Sequence, residues 1–257
     1  MEKKGFYKLT LPLEGDIYKE LSHSVDFEDV TKGRKGNHLV KLGEQGVPIV
    51  RTTTQYNQPA HNFSAIHHRI IEHIQQEFSL TPVTFNNALI EIYDREYIKM
   101  KYHSDQCLDL AKNSWIALFS CYEHPEELAK PQLRKLKVRG KNDQKEFEFL
   151  LEHNSVILFS LDTNTNFQHK IVLEPVKGHK SPETDNRWLG VTFRQSNTFI
   201  QFNDGQPYLP NGELLQLADE AQRKEFYGLR GQENRGLDFS YPTLNYTISI
   251  ADTMMPK

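Results

Sequence analysis

The sequence predicts a mainly β protein with flanking helices, an α+β chain whose strands form a jelly roll. From residue 83 onward the apolar pattern shortens to a period of two, and β-branched and aromatic side chains become frequent, which is typical of short strands. Little helical pattern lies between these segments, and such a series favours antiparallel sheets that close or stack on each other. The predicted strands are 83–93, 97–102, 115–122, 156–160, 168–173, 188–193 and 198–202.

The residues before this series form a loop-rich region with one clear helix. Turn signals such as Gly33-Arg34-Lys35-Gly36 interrupt residues 6–50, so we predict only one or two short elements there. Between residues 63 and 78 apolar side chains recur at helical spacing. That spacing predicts an amphipathic helix.

A basic run interrupts the strand series at residues 130–145. One interpretation is an exposed hairpin with a solvated, charged edge, which is an ordinary protection against aggregation. The other is a patch that contacts phosphate groups of a nucleic acid. The candidate contacts are Arg134, Lys135, Lys137 and Arg139.

After the last predicted strand, residues 213–226 carry apolar side chains at helical spacing and predict a second helix. No internal repeat or low-complexity linker divides the chain. We therefore expect a single domain over residues 1–257, with a jelly-roll core at about 83–202. Residues 1–82 form an N-terminal lid or support region, and residues 203–257 form a C-terminal elaboration.

Composition excludes several classes of protein. The formal net charge of the 257 residues is -3, so no whole-surface field attracts a polyanion. Two cysteines give no disulfide framework and fit a reducing compartment. No stretch is apolar enough for a signal peptide or a membrane span. We expect a cytoplasmic protein without a membrane partner, or a nuclear one in a eukaryote.

A His-x-Asp pair follows one of the predicted strands. Residues two apart on a strand share a face, so His103 and Asp105 can hold one metal ion from one surface. His169, in a later predicted strand, is a candidate third ligand. Two histidines and one carboxylate are the ligand set of non-haem Fe(II) oxygenases. Taken alone the pair is a short motif, and the alternative for His169 is a core histidine in an apolar strand.

Several motifs in one order resemble the AlkB-type branch of the Fe(II)/2-oxoglutarate dioxygenases over about residues 83–196. This resemblance implies a double-stranded β-helix, or jelly roll, with iron inside its open end. It also implies that His103, Asp105 and His169 are the metal ligands and that Fe(II), 2-oxoglutarate and O2 are required. The motifs are Phe85-Asn86, Tyr93, His103-Ser104-Asp105, Leu151-Glu152-His153-Asn154-Ser155, His169 and Thr192-Phe193-Arg194.

The resemblance further implies residues that hold 2-oxoglutarate. Members of the family usually place two arginines six residues apart on the strand after the distal histidine. Here Arg187 and Arg194 are seven apart, so either a bulge near Gly190 restores the register or only one arginine contacts the co-substrate. Tyr93 resembles the family tyrosine that hydrogen-bonds 2-oxoglutarate, although its usual asparagine companion is Glu91 here.

The implied reaction oxidises a C–H bond, by hydroxylation or oxidative N-demethylation. In AlkB relatives the substrate is an alkylated base that is flipped out of the helix, and Tyr56 lies in a segment that resembles their nucleotide-recognition lid. Against a nucleic-acid partner, Cys107 and Leu108 replace the acidic residues that normally read the base. Two alternatives remain open: hydroxylation of a small metabolite or protein side chain, and a jelly-roll binding module without catalysis.

Overall fold

The computed structural model describes residues 1–79, 81–98, 100–128, 132–174 and 185–257. The helices are α1 (Ile17–Ser22), α2 (Ala65–Glu77), α3 (Leu161–Asn166) and α4 (Glu220–Arg235), with 3-10 turns at Pro125–Glu127 and Ile250–Thr253. The strands are β1 (Glu2–Lys3), β2 (Phe6–Thr10), β3 (Glu28–Thr31), β4 (Arg34–Val40), β5 (Val47–Ile49), β6 (His61–Asn62), β7 (Asn87–Tyr93), β8 (Trp115–Tyr122), β9 (Lys135–Gly140), β10 (Glu146–Leu150), β11 (Ser155–Ser160), β12 (Phe167–Val172), β13 (Trp188–Arg194), β14 (Thr198–Asn203), β15 (Gln206–Tyr208), β16 (Gln216–Leu217) and β17 (Tyr246–Thr247).

Two antiparallel sheets form the jelly roll. The larger has the order β1-β2-β11-β8-β13-β7-β4-β3, with β6 parallel to β4, and the smaller has the order β10-β9-β12. A buried cluster joins side chains of the large sheet, such as Leu118 and Ile157, to side chains of the small sheet, such as Leu136 and Phe149. The two sheets therefore pack face to face, as the alternating pattern predicts.

The opposite face of the large sheet is covered by α1 and α2. Ile70 and Ile74 of α2 pack in one buried cluster with Phe119 and Val191 of the sheet. Ser64 is the N-cap of α2, and its backbone N–H donates to the side chain of His67 at 2.9 Å. The predicted helix at 63–78 is confirmed, and its apolar stripe is the face that meets the sheet.

The two ends of the chain contain more regular structure than the sequence predicts. β2 pairs with β11 and β4 pairs with β7, so N-terminal strands extend the large sheet on both sides of the predicted core. The predicted strand at 97–102 does not form in its described residues; just after it, His103 makes an isolated bridge with His169. None of the helices in the described ranges is long and apolar enough to cross a membrane.

The predicted helix at 213–226 is wrong in its position. Residues 216 and 217 pair in parallel with β17 instead of entering the helix. The helix begins after Asp219, whose side chain accepts a hydrogen bond from Gln222 N at 2.8 Å, while the Gln222 side chain accepts from Asp219 N at 3.0 Å. This capping box sets the start of α4 and lets it extend to Arg235.

Candidate metal centre

The side chains of His103, Asp105 and His169 come together at one end of the space between the two sheets. Their candidate ligand atoms all lie within 4.8 Å of one another. The two histidines are opposite each other because their backbones exchange hydrogen bonds: His103 N donates to His169 O at 3.0 Å, and His169 N donates to His103 O at 2.6 Å. His169 Nε2 is 3.4 Å from Asp105 Oδ1. The structure thus places the three predicted ligands in one cluster.

Asp105 is held by a side chain from α3. The buried Asn164 accepts a hydrogen bond from Asp105 N at 2.7 Å and donates to Asp105 O at 2.9 Å. Because α3 leads directly into β12, the short segment 161–172 positions both Asp105 and His169.

The ionisation of these groups suits metal binding. His103 Nδ1 lies 3.0 Å from Lys101 O, which can only accept a hydrogen bond, so Nε2 is left as the ligand atom. Burial lowers the pKa of His103 to about 3 and keeps the ring neutral, the form that binds a metal. Burial alone would raise the pKa of Asp105, but the hydrogen bond from His169 and the nearby Arg194 hold it well below its usual range.

The donor set fits Fe(II). Two imidazoles and one carboxylate that converge from one side leave the remaining coordination positions open. His169 Nε2, 3.4 Å from Asp105 Oδ1, is the ring nitrogen on the side of the carboxylate and is the atom that can bind the same metal ion. The apolar-core alternative for His169 does not account for the neighbouring carboxylate.

The triad lines a cavity of about 290 Å³ between the sheets. Apolar side chains of both sheets form much of its wall, and polar groups are added from β4, the segment after β5, and α4. The apolar lining includes Leu118, Leu136, Phe159 and Ile171, and the polar additions are Arg34, Thr52, Thr53, Thr54 and Arg230.

Arg194 is the buried cation of this cavity. It ends β13, whose pairing with β7 runs without a bulge from Trp188 to Arg194. Its Nε and Nη2 atoms are buried and have no hydrogen-bond partner in the described part of the chain. Burial lowers the pKa of Arg194, while Asp105 opposes this shift. An arginine with unused donors at the edge of a cavity is suited to binding a carboxylate of a ligand.

Arg187 lies elsewhere. It precedes β13, its side chain is 45% exposed, and Nε donates to Glu123 Oε2 at 2.7 Å. The bulge considered near Gly190 is absent; a Cβ on this glycine would meet the Trp188 ring at 2.0 Å, so Gly190 makes room for that indole. Regular alternation along β13 therefore brings only Arg194 to the cavity.

Tyr93 lines the cavity but its hydroxyl is already engaged. It donates a hydrogen bond to Glu91 Oε2 at 2.7 Å, and Arg34 Nε donates to Glu91 Oε1 at 2.6 Å. Glu91, at the position where relatives carry asparagine, therefore forms an ion pair inside the cavity with a residue of β4. No local sequence pattern indicates Arg34, because its partner Glu91 lies on a strand far along the chain.

The structure does not bring the candidate substrate residues to this cavity. Tyr56 is fully buried and packs against His38 with ring centroids 4.3 Å apart, which differs from an exposed position on a lid. Arg134 is also buried and donates to the Asp94 carbonyl at 2.6 Å. Its side chain holds a loop and cannot reach a phosphate.

The other three candidate contacts of the basic run lie on β9, which forms a hairpin with β10. Lys135 Nζ lies 2.8 Å from Glu148 and 2.9 Å from Glu174, and Lys137 pairs with the same two carboxylates. Hydrogen bonds from Lys137 and Lys135 lower the pKa of Glu174 to about 2. Arg139 donates to Gln168 Oε1 at 2.6 Å. The two lysines are thus paired with carboxylates, as in the solvated-edge interpretation, whereas Arg139 donates to a neutral amide.

Gln106 is a cavity residue that the sequence did not reveal. It follows the candidate ligand Asp105, lines the cavity and is 3% exposed. Neither its amide oxygen nor its amide nitrogen has a hydrogen-bond partner among the described residues. An amide in this state offers one acceptor and two donors to a ligand.

The chain is similar to one family of known sequences and to several solved structures. The sequence model described as the 2OG-Fe(II) oxygenase superfamily matches residues 27–194. No curated protein matches the chain. Among solved structures, that of OsALKBH1 aligns with a TM-score of 0.47 and 15% identity, covering 76% of this chain and 98% of that one. A Pseudomonas putida prolyl-4-hydroxylase aligns with a TM-score of 0.44 and 12% identity, covering 76% and 94%.

Proposed function

Because the chain belongs to the 2OG-Fe(II) oxygenase superfamily, whose members use Fe(II), 2-oxoglutarate and O2, we propose that it oxidises a C–H bond by hydroxylation or oxidative N-demethylation. One observation carries the proposal: His103, Asp105 and His169 converge in a cavity that also contains Arg194, whose Nε and Nη2 lack a hydrogen-bond partner among the described residues. A binding module without catalysis would leave this combination without a use.

Each residue has a part in this proposal. His103, Asp105 and His169 would hold Fe(II), and the bound metal would supply the activation of O2 that accompanies the conversion of 2-oxoglutarate to succinate and CO2. Arg194 binds a carboxylate of 2-oxoglutarate through its unused N–H groups, since charge-assisted bonds of a guanidinium to a carboxylate are strong and directional. Tyr93 lines the same cavity.

We propose two substrate classes. The free amide of Gln106 can pair with the edge of a base, because a glutamine side chain offers a donor and an acceptor side by side. This feature supports an alkylated nucleobase. The compensated charges of Lys135 and Lys137 favour the second class, a small metabolite or protein side chain that needs no phosphate contacts.

Succinate formation tests the proposal. The purified chain is supplied with Fe(II), ascorbate and 2-oxoglutarate, first alone and then with methylated single-stranded DNA, methylated RNA or methylated nucleosides. We expect succinate from the wild-type protein and none above background from His103→Ala or Asp105→Ala, with both variants still folded by circular dichroism. An absence of turnover under every condition would refute the oxygenase function. Turnover that nucleic acids and nucleosides leave unchanged would refute the nucleobase class and leave the second.

A further inference from the structure

The C-terminal half of α4 contacts the segment that carries two of the three candidate ligands. We call residues 102–107 the metal loop, because it contains His103 and Asp105. The helix lies beyond residue 194, where the family match ends. Its contacts with the metal loop are therefore a feature of this chain outside the part that defines its family.

Asn234 binds the metal loop on both sides of His103. Its Oδ1 accepts a hydrogen bond from Ser104 N at 2.9 Å, and its Nδ2 donates to Tyr102 O at 3.3 Å. The backbone groups that flank His103 are thus held by one amide side chain. The same residue's carbonyl accepts from Gln168 Nε2 at 2.7 Å, next to the ligand His169.

Glu233 and Arg230 make two further contacts with the metal loop, one on each side of Asp105. Glu233 Oε1 accepts a hydrogen bond from Cys107 N at 2.8 Å, and Arg230 Nη2 donates to Ser104 O. The two side chains are themselves joined, since Arg230 Nη1 lies 2.7 Å from Glu233 Oε2. Glu233 is 7% exposed, and buried polar groups that are fully paired restrict the conformations of the backbone they bind.

These bonds satisfy loop groups that secondary structure leaves free. The described part of residues 97–102 forms no strand and His103 makes a single bridge, so the metal loop has no sheet ladder to fix it. Three side chains from one rigid helix take the place of that ladder. Partners that hold a ligand segment in position commonly change metal affinity by about 10- to 100-fold when removed.

We propose that Arg230, Glu233 and Asn234 are positioning residues that hold the metal loop in its ligand geometry before the metal binds. The proposal rests on the proposed function, because it takes His103, Asp105 and His169 as the metal site. It assigns a role to the C-terminal region that the family match leaves out.

The test measures metal binding by the 257-residue protein without turnover. The affinity for Mn(II) is measured by the electron paramagnetic resonance of free Mn(II), and the ligand field is read from the absorption bands of the Co(II)-loaded protein. We expect Asn234→Ala to weaken Mn(II) binding by about 10-fold or more and to shift the Co(II) bands. Asn234→Asp keeps the acceptor for Ser104 N and should recover part of the affinity.

A matched variant separates positioning from general stability. Asp219→Ala removes the N-cap of the same helix at its far end and should lower the Tm of the metal-free protein without changing Mn(II) affinity or the Co(II) bands. Asn234 variants that bind Mn(II) as tightly as the wild type, or Asp219→Ala that weakens binding equally, would overturn the positioning role. A wild-type protein that takes up no Mn(II) would refute the metal site itself, and the positioning role with it.

Discussion

Arg194 and Arg187 differ in what strand geometry allows each to contact. They are seven residues apart, so a regular strand directs them to opposite faces. The spacing in the sequence is enough to apply this rule, but it does not show whether a bulge changes the register of the strand. The observed register of β13 is continuous, and Arg194 consequently faces Asp105 in the cavity while Arg187 pairs with Glu123 outside.

Replacing Arg194 tests its proposed role at 2-oxoglutarate. Arg194→Met removes the buried guanidinium, and a hydrogen bond to a charged group contributes about 1.5–3 kcal/mol. We therefore expect the KM for 2-oxoglutarate in the succinate assay to rise by roughly 10-fold or more, with Mn(II) affinity nearly unchanged. Arg194→Lys keeps the charge without the planar guanidinium group, so its KM should lie between those of the wild type and Arg194→Met.

Arg187→Met is the matched control, because the same side chain is removed from a site outside the cavity. Its KM should equal that of the wild type. If Arg194→Met kept a wild-type KM, or if Arg187→Met raised it as much, the assignment of Arg194 to the co-substrate would be refuted.

At the scale of elements, the hairpin β9–β10 shows how cross-strand pairing changes the meaning of a basic run. The sequence shows the cations of residues 130–145 as neighbours along the chain. In the fold, Glu148 stands opposite Lys137 across the hairpin, and Glu174 follows β12 on the other side. Both carboxylates lie within ion-pair distance of Lys135 and Lys137. The charges of these two lysines are therefore not free to attract a polyanion.

The double variant Lys135→Gln/Lys137→Gln tests this compensation. We expect its affinity for a methylated single-stranded oligonucleotide at low salt, and the slope of that affinity against salt, to match the wild type, because no counterions are displaced by cations that are already paired. Fluorescence anisotropy measures both quantities. A clear loss of affinity with a flatter slope would instead identify β9 as a phosphate contact.

Elements with a local signal were predictable, and those held by distant partners were not. β8 forms at 115–122 as predicted, because its alternating apolar residues face two buried clusters. β2 was missed: its pairing with β11 joins residues far apart in sequence, which no local pattern records. The same reason hid Arg34, Arg230 and Asn234, whereas His103 and Asp105 were visible because their spacing is itself the signal.

At the scale of the whole molecule, the C-terminal segment is bound to residues that precede the jelly-roll core. Arg51, after β5, pairs with the buried Asp109 at 2.7 Å and donates to the carbonyls of Leu244 and Tyr246. The backbone N–H of Ala251 donates to Tyr56 O at 3.2 Å. The C-terminal segment is therefore attached to the core through buried polar groups, and its stability depends on their ionisation.

Asp252 links this attachment to pH. Burial raises the pKa of its carboxyl from 3.8 to about 7. The hydrogen bond from Thr247 Oγ1 at 2.5 Å lowers this pKa but is the smaller effect. A raised pKa means that the folded state binds the proton more tightly than the unfolded state. The stabilisation is complete below about pH 4 and is lost as the pH rises towards 7. With about 1.4 kcal/mol per pKa unit, the loss is on the order of a few kcal/mol.

Asp252→Asn removes this titration but keeps an acceptor for Thr247. Between about pH 4 and pH 7 the free energy of unfolding, from urea titration at each pH, should fall for the wild type relative to the variant by a few kcal/mol. Other carboxylates affect both proteins alike, so the difference between the two curves isolates Asp252. Parallel curves would show that its pKa is the same in the folded and unfolded states, whereas divergence confined to this window would show that folding takes up a proton at Asp252.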